Sequence, residues 1–302
     1  MDRTIGDALE SARSRLSASS SAESDAVELL SRLLNLGRVE LQLRRNEPMA
    51  PEQWQTLDSW LRRRVAGQPV QYITGRAAFR SLDLTVDGSV LIPRPETEQL
   101  VEAVIGVLRE ELMSWAAPRV LDLGTGSGAI ALSIAREWPQ AIVSATDAST
   151  EALSTAEANA AALGLAGRVR FMQGNWFDAV DAEARFEVVI SNPPYIATIE
   201  QELLPADVRD FEPPQALFSG ETGLESLREI IDEAPRHMVA GGLLALELAE
   251  MRAREVATWL EGARDWRDVD LRDDLSGRPR VLLARRERGP AIAPAQWEEE
   301  RE

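Results

Sequence analysis

The 302-residue chain has no cysteine and no lysine, one histidine, His237, and no apolar run near the roughly 20 residues that a membrane span needs. Without thiols, a disulfide framework, a thiolate nucleophile and a cysteine zinc site are excluded. A single imidazole leaves little material for a histidine metal site or a histidine-based triad. The first residues, MDRTIGDALE, lack the apolar centre of a secretory leader, so a cytoplasmic chain is expected. All 33 basic residues are arginine, set against 50 Asp and Glu, for a formal charge of −17. That balance argues against affinity built mainly on neutralising phosphates. It reads first as a solvated acidic surface, of the kind favoured in a salty medium.

What is present is enough for an ordinary core: 44% of the residues are hydrophobic, and the length allows one large domain or two modest ones. The first part of the chain is helical. In APEQWQTLDSWLRRRVAGQP, Pro51 suits a first helical position, Trp54, Leu57, Leu61 and Val65 recur at helical spacing, and Gly67 can close the end before Pro69. The stripe is expected to be core. Residues Ala78 to Ile92 then alternate in two short segments, FRSLDLTV and SVLIP, around Asp87 and Gly88, and read as a β-hairpin.

Beyond it, strands and helices alternate, with strands expected at Val120–Leu123, Ile142–Thr146, Val169–Met172, Val188–Ser191 and Leu243–Glu247. Two further strand-like pieces, WRDVDL and RVLLAR, leave little room for a helix between them, so the last strand should lie antiparallel. The fold class expected is α/β: a Rossmann-like, mostly parallel sheet preceded by a small helical domain. The boundaries are placed at 1–75 for the helical domain, 76–92 for the hairpin linker, 93–288 for the α/β domain and 289–302 for a disordered tail.

VLDLGTGSGAIALSIA combines a strand, a tight glycine turn and a helix. Gly124, Gly126 and Gly128 let the backbone approach a ligand that faces the helix N–H groups, with Thr125 and Ser127 between them. Alone, this loop fits a nicotinamide dinucleotide and S-adenosylmethionine equally, because Gly124, Gly126 and Ala129 also satisfy the dinucleotide fingerprint. Asp147 ends the second strand, where a carboxylate can accept both hydroxyls of a ribose; the competing reading is a helix cap before ASTEA. Asn175 and Trp176 follow the third strand and offer an amide and a flat ring suited to an adenine.

VVISNPPYIA, Val188 to Ala197, ends a buried strand in two prolines that cannot donate a ladder hydrogen bond. The strand must stop at Ser191 or Asn192, which puts Asn192 on the ligand-binding edge of the sheet. Asn192, Pro193, Pro194 and Tyr195 resemble the NPPY motif of amino-group methyltransferases of the class I S-adenosylmethionine fold. With the GTGSG loop and the acid after the second strand, the resemblance spans Val120 to Tyr195 and selects S-adenosylmethionine as cofactor, with S-adenosylhomocysteine as product. The chemistry suits the residues: a planar nitrogen needs acceptors for both N–H bonds, and the Asn192 side-chain oxygen and Pro193 carbonyl can supply them while Tyr195 packs on the planar group.

The flanks narrow the choice. QPVQYITGRAAFRSLDLTVDGSVLIPRPETEQLVE, Gln68 to Glu102, and DVRDFEPPQALFSGETGLE, Asp207 to Glu225, closely resemble the release-factor glutamine methyltransferases, the HemK or PrmC family. The resemblance covers roughly Val65 to Arg285. It implies methylation of the glutamine amide nitrogen in the Gly-Gly-Gln loop of class 1 peptide-chain release factors. It further implies a helical domain that helps hold the release factor, and Arg94, Glu96 and Thr97 bordering the substrate, with Phe79 nearby. A monomer without direct nucleic-acid contacts is expected. One departure is visible: where the family usually has Glu, any residue, Gly after the fifth strand, this chain has Glu247, Leu248, Ala249. The alternative is a nucleic-acid amino-group methyltransferase acting on DNA adenine or ribosomal RNA guanine N2, which would normally want a basic face. A third reading, a catalytically silent cofactor-binding scaffold, sits poorly with an intact NPPY set.

Overall fold

In the computed structural model, which describes residues 3–111 and 115–287, five helices come first: α1 (Ile5–Arg15), α2 (Ala22–Leu34), α3 (Arg38–Leu43), α4 (Pro51–Val65) and α5 (Val70–Thr74). Thr4 and Asp7 open α1 with a reciprocal capping box, and Pro51 sits in the first turn of α4, where its missing N–H costs nothing. The apolar faces meet in a core built on Leu9, Leu29, Leu30, Leu41, Leu57 and Leu61. Trp54 packs against that core, but Val65 is 62% exposed. By Val65 the helix is in its last turn, and Gly67, at φ +96°, reverses the chain. Arg63 then donates to the carbonyls of Ile73 and Tyr72 at 3.2 and 3.0 Å, fixing α5 against α4.

The hairpin lies earlier than its sequence pattern suggests. Its arms are β1 (Arg76–Phe79) and β2 (Leu82–Thr85), so the turn is Arg80 and Ser81, and the segment around Val90 to Ile92 is not a strand. Arg80 adopts φ +50°, a conformation usually left to Gly or Asn. Two later helices hold it there: Glu98 accepts its backbone N–H at 2.9 Å and Glu137 accepts its Nε at 2.6 Å. Asp87 instead shapes a local turn by accepting from the N–H of Ser89 at 2.9 Å. Phe79 is fully buried in the core with Leu82, Leu84 and Leu100. Enclosed there, its ring has no face to offer a ligand.

The rest of the chain runs α6 (Pro95–Glu110), β3 (Arg119–Leu123), α7 (Ala129–Glu137), β4 (Ile142–Asp147), α8 (Thr150–Ala162), β5 (Val169–Gln173), β6 (Phe186–Ser191), a 3-10 turn (Thr198–Leu203), α9 (Ala206–Phe211), α10 (Pro214–Leu217), α11 (Glu225–His237), β7 (Met238–Glu247), α12 (Glu250–Gly262), β8 (Trp266–Asp273) and β9 (Pro279–Arg286). The seven strands form one sheet in the order β5-β4-β3-β6-β7-β9-β8. Strands β3 to β7 pair in parallel, and β9 runs antiparallel to both β7 and β8, as the short link between the last two strands requires. The tail expected at 289–302 lies outside the described residues.

Alternation along the strands builds two cores. Val120, Val143, Val188, Ile190 and Ala245 face Leu100, Val104 and Ile134 of α6 and α7; Leu121, Leu123, Val189, Leu244 and Leu246 face Leu227, Ile230, Val256 and Leu260 of α11 and α12. Burial on both faces explains why the strands read as continuous apolar runs. The strand order reverses at β3, which places the crevice for a ligand at the carboxyl ends of β3, β4 and β6.

Candidate active site

Register sets the site out in a row. Leu123 pairs with Thr146 on one side and Ser191 on the other, and Ser191 pairs with Leu246. The next residues, Asp147, Gly124, Asn192 and Glu247, therefore leave four neighbouring strands at one level of the carboxyl edge.

The glycine loop is fixed by its own backbone and by Asp147. The N–H groups of Gly124 and Thr125 both donate to the Thr146 carbonyl at 2.9 Å, and that of Gly126 donates to Asp147 Oδ2 at 2.8 Å. Gly124, Gly126 and Gly128 have φ of +69°, +56° and +83°, and among the described residues nothing beyond its chain neighbours lies within 4 Å of the place a Gly126 Cβ would take. The loop thus keeps an open concave side. The side chains between the glycines turn inward: Thr125 and Ser127 are buried, and Thr125 Oγ1 donates to Asp122 Oδ2 at 2.6 Å. These two can offer a ligand only backbone groups.

Asp147 does not cap α8. Ser149 is the N-cap and its hydroxyl accepts from the N–H of Ala152, while Asp147 Oδ1 accepts from the N–H of Ser149 at 2.9 Å. The N–H groups do not fill the carboxylate's roughly four lone-pair sites, so it keeps room to accept from a ligand hydroxyl. Burial raises its carboxyl above the usual carboxylate value, and the N–H groups of Ser149, Gly126 and Ala148 oppose that.

Asn175 and Trp176 follow β5, with Trp176 at φ +43°. The indole lies on the loop, 3.3 Å from the place a Gly124 Cβ would take. Asn175 Nδ2 and Trp176 Nε1 donate to the two oxygens of Glu229 on α11, at 3.1 and 3.0 Å. The ring face, the Asn175 oxygen and the second Nδ2 hydrogen are what remain for an adenine.

On the other side, β6 stops at Ser191, whose hydroxyl donates to the Leu123 carbonyl at 2.7 Å. Asn192 and Glu247 then point to the face covered by the first turn of α6. Asn192 Nδ2 donates to Thr97 Oγ1 at 3.0 Å, and Thr97 Oγ1 donates to Glu247 Oε2 at 2.6 Å. Thr97 and Glu247 are buried, with 4% and 1% exposure. Burial pushes the Glu247 carboxyl up to about 7, although the Thr97 bond and Arg280 act to lower it. Tyr195 packs on the α11–α12 core, and burial raises its phenol, with Glu247 adding to the rise. Arg94 and Glu96 lie close enough to act on both Tyr195 and Glu247. Arg94 also donates to the buried Glu212 at 2.5 Å, joining the LIPRPETE segment to the chain after NPPY.

The backbone after Tyr195 is clamped. Gly223, at φ +76°, passes so close that a Cβ would fall 2.6 Å from the Tyr195 carbonyl oxygen. The missing glycine of the Glu247-Leu248-Ala249 segment has no such cost: Ala249 sits at φ −68°, ψ 135°, extended backbone open to any residue. Three contributors escaped the sequence reading. Asp122 could have been found as a lone carboxylate inside a strand buried on both faces. Glu229 leaves no signal, because an acid on a helix reads as solvent-facing, and Glu212, just past α9, reads as an exposed loop acid.

The chain matches the family model of the PrmC N-terminal domain over residues 7–75 and that of the methyltransferase small domain over residues 102–206. Among solved structures, it is similar to a methyltransferase from Pyrococcus furiosus (TM-score 0.50, 20% identity, 70% of this chain and 91% of that one). The hMettl16 catalytic domain aligns with a TM-score of 0.52 at 16% identity over 70% of this chain and 77% of that one. These two likenesses establish the fold. The release factor glutamine methyltransferase of Xylella fastidiosa strain Temecula1 is 43% identical over 261 residues, covering 86% of this chain and 92% of that one. That of Deinococcus radiodurans is 40% identical over 287 residues, 94% of this chain and 99% of its own. With both regions matched, in order, and the likeness running nearly end to end, the chain belongs to the release factor glutamine methyltransferase family.

Proposed function

We propose that this enzyme transfers a methyl group from S-adenosylmethionine to the side-chain amide nitrogen, N5, of the glutamine in the Gly-Gly-Gln loop of class 1 peptide-chain release factors. The observation that carries the reading is the orientation of Asn192. Its NH2 end donates to Thr97, so its oxygen is the end turned away from that bond and able to accept an N–H from a substrate amide.

The cofactor side fits the proposal. The open face of Gly126, the ring of Trp176 beside Gly124 and the carboxylate of Asp147 suit a methionine tail, an adenine and a ribose diol respectively. Bound there, S-adenosylmethionine supplies an electrophilic methyl carbon on a sulfonium. The chain's own residues prepare the nitrogen. An amide lone pair is delocalised, and Asn192 Oδ1 together with the Pro193 carbonyl can accept both N–H bonds so that the lone pair turns toward the methyl group. Pro193 and Pro194 bring no N–H groups to compete for those acceptors. Tyr195 can lie against the planar amide and ease the positive charge that builds on it, by about 0.5–2 kcal/mol. The surplus proton leaves to solvent. Two glycines before the target residue let a loop tip reach this depth. We assign residues 1–75 to holding the release factor and 93–288 to the reaction, in a monomer of the cytoplasm. The net charge of −17 weighs against a nucleic-acid substrate.

Radiolabelled methyl transfer to purified release factor, compared with transfer RNA, ribosomal RNA and duplex DNA, tests this. Label is expected on the release factor alone, and Asn192→Ala should lower turnover by roughly 10² or more with little change in cofactor affinity. Label on a nucleic acid and none on release factor would overturn the assignment.

A further inference from the structure

The route from Asn192 to the buried Glu247 does more than fill space. We infer that Thr97 and Glu247 are positioning residues that decide which end of the Asn192 amide faces the reacting nitrogen. The inference rests on the reading of Asn192 as the acceptor for the substrate amide.

An amide side chain has two ends of similar shape and opposite hydrogen-bonding sense, so a pocket must specify one of them. Nothing on Asn192 itself does so. Thr97 has one hydroxyl proton. An ionised Glu247 can only accept, so it draws that proton at 2.6 Å and leaves the Thr97 oxygen as an acceptor. The Asn192 group 3.0 Å away must then be the NH2. Turning the amide over would set two oxygens against each other with no proton between them. Polarity thus runs one way, from carboxylate to hydroxyl to amide, and its far end is an oxygen aimed at the substrate. The pleat makes this possible: Asn192 and Glu247 leave neighbouring strands at one level and on one face, where the first turn of α6 lowers Thr97 between them.

A neutral Glu247 would lose this authority, because it could donate to Thr97 and let the hydroxyl turn its proton toward Asn192. The charged and titratable groups around Glu247 are Glu96 in the first turn of α6, Arg94 at its N-cap, Arg280 on β9 and Tyr195 after β6. Burial raises Glu247 to about 7, Glu96 adds to the rise, and the Thr97 bond, Arg280 and Arg94 resist it. Turnover should therefore climb as pH rises through this range, and the climb should belong to Glu247.

The test compares kcat, KM for release factor and cofactor affinity by calorimetry in the full chain for the native protein, Thr97→Val, Thr97→Ser, Glu247→Gln and Asn192→Ala. Thr97→Val keeps the shape and deletes the hydroxyl, so kcat should fall tenfold or more, while cofactor affinity and KM stay within about threefold. Thr97→Ser restores the hydroxyl and should recover most of kcat. Glu247→Gln should flatten the rise of kcat through pH 7. Near-native kcat in Thr97→Val, or Thr97→Ser as poor as Thr97→Val, would overturn the inference while leaving the proposed function standing. So would a Glu247→Gln profile that still climbs through pH 7, which decides the matter alone should Thr97→Val fail to fold. Undiminished turnover in Asn192→Ala would remove both.

Discussion

Trp176 is held to Glu229 by a 3.0 Å hydrogen bond from its indole nitrogen, and the partner oxygen of the same carboxylate holds Asn175 at 3.1 Å. The bond matters because Trp176 occupies φ +43°, which a bulky residue adopts only when its surroundings enforce it. Thr146 supplies a second hold, its hydroxyl donating to the Trp176 carbonyl at 2.9 Å. One carboxylate on α11 thus sets the angle of the ring that flanks the glycine loop.

Removing that carboxylate should loosen the ring without unfolding the sheet. Glu229→Ala is expected to weaken S-adenosylmethionine about fivefold, equivalent to about 1 kcal/mol, a modest figure because the bonds are solvent-exposed. Glu229→Gln should recover part of the loss, since its amide keeps one acceptor and turns the other into a donor. Calorimetric titration checks both. Unchanged affinity in the alanine variant would mean that the Thr146 bond fixes the ring unaided.

Asp147 fastens the glycine loop, and on the proposed function it also accepts from the cofactor ribose; one substitution bears on both. Asp147→Ala is expected to weaken the cofactor by about 1.5–3 kcal/mol, the range for hydrogen bonds to a charged group. Part of that loss comes from freeing the Gly126 N–H, which the carboxylate now holds at 2.8 Å. Asp147→Asn keeps an oxygen for the loop and a donor or acceptor for a ribose, and should lose less than half as much. Equal affinity in all three proteins would reduce Asp147 to a loop fastener.

The buried Asp122 should make stability depend on pH. Its Oδ2 accepts from Thr125 and from the Ala131 N–H, whereas Oδ1 has no partner among the described residues. Burial raises the carboxyl to about 7, against the pull of the Thr125 and Ala131 bonds. A carboxyl raised in the folded state binds its proton more tightly there than in the unfolded chain. Its contribution is fully present below about 3.8 and is lost as pH climbs through about 7. Between pH 5 and 8 the native protein should therefore lose about 2–3 kcal/mol relative to Asp122→Asn, measured by urea denaturation at each pH. A stability difference that stays flat would place the Asp122 titration well below this window.

How much of this was legible depends on how local each signal is. The strands of the sheet were readable because burial on both faces leaves unbroken apolar runs, and the stop at Ser191 because two prolines follow it. The hairpin was misplaced because its turn residue, Arg80, is stabilised by Glu98 and Glu137, 18 and 57 residues away, and not by turn chemistry of its own. Phe79 stands in a stretch that resembles the family, and the β1–β2 hairpin turns its ring into the core, which composition alone does not show. Asn192 and Asp147 could be placed at an edge by motif. That Thr97 and Glu247 act on Asn192 could not, since the contact joins residues 95 and 150 positions apart and needs the register to bring them level.

Salt separates two electrostatic effects that the composition superimposes. The surface carries many arginine–carboxylate pairs, such as Arg13–Glu23, Arg44–Glu47 and Arg236–Glu233, which are largely exposed. Pairs of this kind contribute at most about 1 kcal/mol each, so their screening by salt removes little. The net charge of −17 acts differently, because its repulsion is summed over distances comparable to the Debye length, about 10 Å at 0.1 M salt. Screening should therefore remove more repulsion than attraction. The thermal midpoint is expected to rise by several degrees between 10 mM and 0.3 M sodium chloride, where the Debye length shortens from about 30 Å to below 10 Å, and to change little beyond. A midpoint that falls over this range would mean that the ion pairs outweigh the net charge. The acidic composition would then need an origin other than tolerance of salt.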